Sequence, residues 1–144
     1  MMALEEAPDT RERLTVLVID DDAAARYAVR KACHPDFYHV LEAEDAREGL
    51  HAARTQRPDL IVLDLNLPDS HGEEILRELA DAPDTCTIPV VIVTAEQISL
   101  LQQNRLLQLA AAVLPKSEFN SGEFDRVLKF VGSRAAGPQR GLPS

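Results

Sequence analysis

Residues 60–72 read LIVLDLNLPDSHG, and the first five of them decide the fold. Leu60, Ile61, Val62 and Leu63 form a run without polar alternation, the pattern of a strand covered on both faces. Such strands belong to parallel sheets flanked by helices. Asp64 closes the run. An ionised carboxylate is costly to bury unless a cation or hydrogen-bond donors compensate it, so partners for Asp64 must come from elsewhere in the chain. Pro68 and Gly72 then suit a tight loop, the one fixing φ and the other tolerating unusual values of it.

Five short apolar runs lie along the chain: LTVLVI (14–19), YHVLEA (38–43), DLIVLD (59–64), IPVVIV (88–93) and AAAVLP (110–115). The second is the more polar and suits a sheet edge. Between the runs, apolar residues recur at helical spacing. These are Ala25, Ala28, Val29 and Ala32, then Ala46, Gly49, Leu50 and Ala53, then Ile75, Leu76 and Leu79. Asp45 with Glu48 three residues on reads as a helix start, and Asn120 with Glu123 does the same for a last helix carrying Phe124, Val127, Leu128 and Val131. Strand–helix alternation repeated five times implies an α/β fold, a doubly wound five-stranded parallel sheet with right-handed crossovers. In the strand order 2-1-3-4-5 the switch point lies between strands 1 and 3. Residues 1–13 and 133–144 are polar or rich in Gly, Pro and Ser and read as flexible tails around a folded unit at 14–132.

A length of 144 residues with 45% hydrophobic and 27% charged residues fits one globular domain with a packed core. No run approaches the roughly 18 to 20 apolar residues of a membrane span, and MMALEEAPDTRER lacks a basic start before an apolar leader, so a cytoplasmic protein without a membrane partner is expected. The net charge of −9 argues against a nucleic-acid partner. Cys33 and Cys86 have no metal-type spacing and read as reduced thiols. His34, His39, His51 and His71 are scattered, as solvated or packing histidines are.

At the carboxyl ends of the strands stand Asp20, Asp21 and Asp22, then Asp64, Thr94 and Lys116. Each has an ordinary structural role open to it. Asp22 would cap a helix beginning near Ala23, Thr94 a helix beginning near Glu96, and Lys116 would be a solvated surface lysine. Ligands of such sheets nevertheless bind at the carboxyl ends, near the switch point, where these groups converge. Clustered carboxylates favour a hard divalent cation with oxygen ligands, for which Mg²⁺ fits. A carboxylate is also a nucleophile able to become an aspartyl phosphate, with Lys116 and Thr94 supplying positive charge and a hydrogen-bond donor. Asp64 therefore reads as a phosphoacceptor.

The segments VLVIDDD, LIVLDLNLPDSHGEEIL, PVVIVTA and AVLPK, in this order across about residues 14–132, resemble the receiver domain of two-component response regulators. That resemblance implies a flavodoxin-like fold with Asp64 as the phosphorylation site. It implies Asp20 and Asp21 as the acidic pair for Mg²⁺, the backbone carbonyl of Asn66 as a further metal ligand, and Thr94 and Lys116 as switch hydroxyl and phosphate-binding lysine. It also implies phosphoryl transfer from a histidine kinase or phosphotransfer protein. No enzymatic activity is expected beyond Mg²⁺-dependent self-phosphorylation and self-dephosphorylation.

Two positions depart from the family. Val113 stands three residues before Lys116, where Tyr or Phe is usual, and Ser117 follows Lys116, where proline is common. AAVLPKSE is similar to receivers at the end of hybrid sensor kinases, which makes an excised receiver an alternative. A phosphatase of the haloacid dehalogenase type shares the aspartyl-phosphate chemistry but wants a second Asp where Asn66 stands. An FMN-binding flavodoxin would need a hydroxyl- and glycine-rich loop where three aspartates stand. The remaining residues hold no output domain, so signalling by protein contact is expected. A helix at 96–109, with Ile98, Leu106 and Leu109 on one side and Leu100 and Leu107 opposite, is the candidate contact.

Overall fold

The computed structural model describes residues 13–118, 122 and 124–130. Five parallel strands, β1 (Leu14–Ile19), β2 (Tyr38–Ala43), β3 (Leu60–Leu63), β4 (Val90–Thr94) and β5 (Ala112–Pro115), lie in the order β2-β1-β3-β4-β5. The helices are α1 (Ala23–Ala32), α2 (Ala46–Gln56), α3 (Gly72–Asp81), α4 (Leu100–Leu106) and α5 (124–130). This is the doubly wound parallel sheet expected from the apolar runs, in the flavodoxin-like form that the resemblance implies, with the polar run YHVLEA at an edge. The tail reading at 133–144, that at 1–13 except for Arg13, and the helix start at Asn120 with Glu123 fall outside the described residues.

Strand side chains alternate between two cores, as the period of two requires. Leu17, Ile19, Ile61, Leu63, Val90 and Ile92 pack with Ala53 of α2, Ile75, Leu76 and Leu79 of α3 and Leu106 of α4. Their alternates, among them Val16, Val18, Val62 and Val91, pack with Val29 of α1 and with Phe124 and Leu128 of α5. Complete burial of one such aliphatic side chain contributes about 1.5–3 kcal/mol. Gly49 lets α2 approach β1 closely, for a Cβ there would come within 2.6 Å of Ile19 Cδ1. Cys33 and Cys86 are unpaired, as expected. Burial pushes the Cys33 thiol up to about 12, whereas Cys86 is exposed.

One helix differs from its expected bounds. The stretch 96–109 is not a single helix, because α4 begins at Leu100, where Ser99 Oγ accepts the Gln102 N–H at 3.1 Å. Ile98 precedes the helix and still packs on the core, while Leu109 follows it and is exposed, as are Leu100, Leu101 and Leu107. The pattern fails there because a helix of under two turns cannot place residues 98 and 109 on its own face.

Candidate functional site

Parallel pairing of β1 with β3 sets Ile19 beside Leu63, so Asp20 and Asp64 emerge side by side at the carboxyl edge. The Asp64 N–H donates to Ile19 O at 3.0 Å, and the Asp20 N–H donates to Ala43 O at 3.0 Å, which extends the ladders to the site itself. Asp20, Asp64, Thr85 and Thr94 are the buried polar or charged residues among those described. Thr85 donates its hydroxyl to Leu79 O at 2.8 Å and so has a purely structural use. The other three stand at strand ends on one rim.

Lys116, just past β5, reaches that rim: its Nζ lies 2.9 Å from Asp20 Oδ2 and 3.6 Å from Asp64 Oδ2. Burial alone would lower the pKa of this ammonium, but its hydrogen bond to Asp20 and the charges of Asp20, Asp64 and Asp22 outweigh burial and raise it. Asp64 shows the opposite balance. Desolvation first, then the Asp20 charge, raises its pKa above the ordinary carboxylate value against the lowering influence of Lys116 and the Asn66 backbone. A carboxylate held this way carries its charge at a cost, which a bound cation would relieve.

Asp21 is exposed, yet one carboxylate oxygen from each of Asp20, Asp21 and Asp64 lies within 4.8 Å of the others. An all-oxygen donor set of this compactness fits a hard divalent cation. Asp22 serves as the cap of α1, its Oδ1 accepting the Ala24 N–H at 3.1 Å, in keeping with its ordinary reading. Thr94 Oγ1 accepts the Glu96 N–H at 3.2 Å, but no helix starts there, so this bond closes a turn rather than capping α4. Val113 lines a cavity of about 640 Å³ together with Thr94, Ile98, Gln103, Pro115 and Ser117.

The loop from Leu65 to His71 leads from Asp64 into α3. Asn66 is exposed and forms an antiparallel bridge with His71, whose Nδ1 accepts the Glu73 N–H at 3.2 Å and caps α3. Gly72 is required here for space rather than for an unusual φ. A Cβ would lie 2.6 Å from Asp64 O, and the Gly72 N–H donates to Leu65 O at 2.7 Å. Three supporting residues escape a reading of the sequence. Arg26 donates to Asp20 O at 2.8 Å and to Glu42 at 2.9 Å, Asp69 accepts from the start of α2, and Arg105 of α4 pairs with Glu73 of α3 at 3.0 Å. Each joins segments far apart in sequence, and only the capping aspartate at a turn has a type that hints at its use.

The family model for the response regulator receiver domain matches residues 16–124, and the chain belongs to that family, the receiver domains of two-component response regulators. The KDP operon transcriptional regulatory protein KdpE of Escherichia coli is 41% identical over 80 residues, which are 56% of this chain and 34% of that protein. Protein PilH of Pseudomonas aeruginosa is 31% identical over 81 residues, 56% of this chain and 67% of PilH. A longer match, 29% identity over 90% of this chain, falls on 9% of Histidine kinase P4 of Formosa agariphila. The chain spans about a third of the length of KdpE and of the response regulator MprA of Mycolicibacterium vanbaalenii. Among solved structures, the chemotaxis response regulator CheY4 of Vibrio cholerae is similar with a TM-score of 0.73 and 28% identity, over 83% of this chain and 98% of that one.

Proposed function

We propose that Asp64 accepts a phosphoryl group from the phosphohistidine of a histidine kinase or phosphotransfer protein, in a Mg²⁺-dependent reaction, and that the change is read out by protein contact. The observation that carries this reading is the rim itself: two buried carboxylates, an ammonium 2.9 Å from one and 3.6 Å from the other, and a buried threonine on the next strand. An Asp64 oxygen attacks phosphorus, the phosphorus–nitrogen bond breaks, and its electron pair stays on the departing imidazole. Lys116 stands where it would neutralise phosphoryl oxygens, and Thr94 offers a hydroxyl donor from β4. Asp20, Asp21, Asp64 and the Asn66 carbonyl would hold the metal, which when bound supplies charge neutralisation for the transfer. The receiver unit is taken as residues 14–132, in a cytoplasmic protein that self-phosphorylates and self-dephosphorylates without acting on other substrates.

The long match to a small part of a histidine kinase favours, as a second context, the same module within a kinase chain. Profiling phosphotransfer against candidate histidine kinases identifies the cognate donor. The site chemistry is tested by incubating the protein with Mg²⁺ and acetyl phosphate and measuring intact mass. One phosphoryl group is expected on the wild type and none on Asp64→Asn or on wild type with chelator. Labelling that persists in Asp64→Asn would move the acceptor elsewhere.

A further inference from the structure

The first turn of α2 has four backbone N–H groups to satisfy. Asp45 takes one of them, its Oδ1 accepting from Glu48 at 2.8 Å, while the Gly49 N–H makes the first ordinary helical bond, to Asp45 O at 3.0 Å. Those of Ala46 and Arg47 point at a residue from a different segment. Asp69 Oδ1 accepts the Ala46 N–H at 2.8 Å and Oδ2 the Arg47 N–H at 3.1 Å, spreading one carboxylate across the helix start. These bonds, the one to Ala46 foremost, hold the Asp69 carboxyl below the ordinary range.

Asp69 sits near the tip of the loop that leaves Asp64. The base of that loop is closed by the Gly72 N–H on Leu65 O and by the Asn66–His71 bridge, so Asp69 adds an anchor at the far end. The anchor point is itself tied to the site, because α2 packs through Gly49 directly on Ile19, the residue before Asp20. A single carboxylate thus fixes the loop carrying Asn66 to the body that carries Asp20.

We propose that Asp69 is a positioning residue, clamping the loop at 65–71 to α2 so that Asn66 and Asp64 keep their placement relative to Asp20 and Asp21. The proposal rests on the Mg²⁺-dependent reading above. Its decisive comparison is Asp69→Ala against Asp45→Ala, which removes the other cap of the same helix. In the unphosphorylated protein, Asp69→Ala should weaken Mg²⁺ binding about tenfold, the usual cost of losing support behind a metal ligand. It should also speed hydrogen exchange of the Gly72 N–H. Asp45→Ala should lower the melting temperature at least as much and leave both readouts unchanged. Asp69→Asn, which keeps one acceptor oxygen, should give the same pattern at smaller amplitude and serves if Asp69→Ala does not fold. Unchanged Mg²⁺ affinity and Gly72 exchange in the Asp69 variants, with melting lowered as in Asp45→Ala, would make Asp69 an ordinary helix cap and overturn the proposal. A wild type that binds no Mg²⁺ would defeat the metal-dependent reading instead, and Gly72 exchange would still decide the clamp.

Discussion

Around Asp64 the polar side chains are buried and bonded in place, whereas around α4 the apolar ones stand in solvent. Asp20, Asp64 and Thr94 are each no more than 5% exposed, yet Leu100 and Leu101 are both 73% exposed. The rim is fixed by strand register and by one ammonium between two carboxylates. The α4 flank is held by Leu106 in the core and by the Arg105–Glu73 pair, and it borders the cavity beside Val113. A segment with few buried contacts opens at lower cost than a packed one, so local stability is expected to be lower along the α4 flank than at the rim.

The largest expected effect lies at Leu106, the buried residue of α4 itself. Leu106→Ala should cost about 3 kcal/mol in urea unfolding, as buried leucines do, and loosen α4. Next comes the rim: Lys116→Ala leaves Asp20 and Asp64 facing each other without their cation. A loss of about 2 kcal/mol is expected in chelator, less than for a fully enclosed pair because the ammonium keeps some water contact. Added Mg²⁺ should restore part of it, and identical unfolding curves with and without metal would count against the cluster as a cation site.

Asp64→Asn has the opposite sign. Because burial and Asp20 raise the folded-state pKa of Asp64, its neutral form favours folding. That contribution is present at low pH and lost as pH rises through the folded value. Without metal at neutral pH, the variant should therefore be more stable than wild type by on the order of 1 kcal/mol, with the gain fading in acid. Equal stability at neutral pH would mean that Asp64 is not strained. The smallest change in stability, under about 0.5 kcal/mol, is expected for Leu100→Glu with Leu107→Glu, since both side chains are exposed. If these leucines form the docking surface, partner binding is lost although the fold is kept. Cooperative unfolding would place them in the core.

The same contrast governs what the sequence reveals. The rim is legible because Leu60 to Leu63 and the other pure apolar runs fix strands, and the residues just past a parallel strand share one edge. The α4 flank is harder. Ile98, Leu106 and Leu109 fit a helical stripe over 96–109, but Ser99 followed three residues later by Gln102 is the better signal for a start at Leu100. Gly72 is recognisable as a constrained position, though the constraint is the approach to Asp64 O rather than φ. The clamp by Asp69 and the Arg105–Glu73 pair have no periodicity to betray them. They join residues 22 to 32 positions apart, and only tertiary packing brings them together.

Site-resolved trapping of the labelled group bears most directly on the role of Asp64. After incubation with acetyl phosphate and Mg²⁺, hydride reduction converts an aspartyl phosphate to homoserine, and mass spectrometry of the cleaved chain locates it. Homoserine at position 64 and at no other carboxylate is the expected result. Homoserine at Asp20 or Asp21, or a stable phosphoryl group on His71 with Asp64 unmodified, would contradict it.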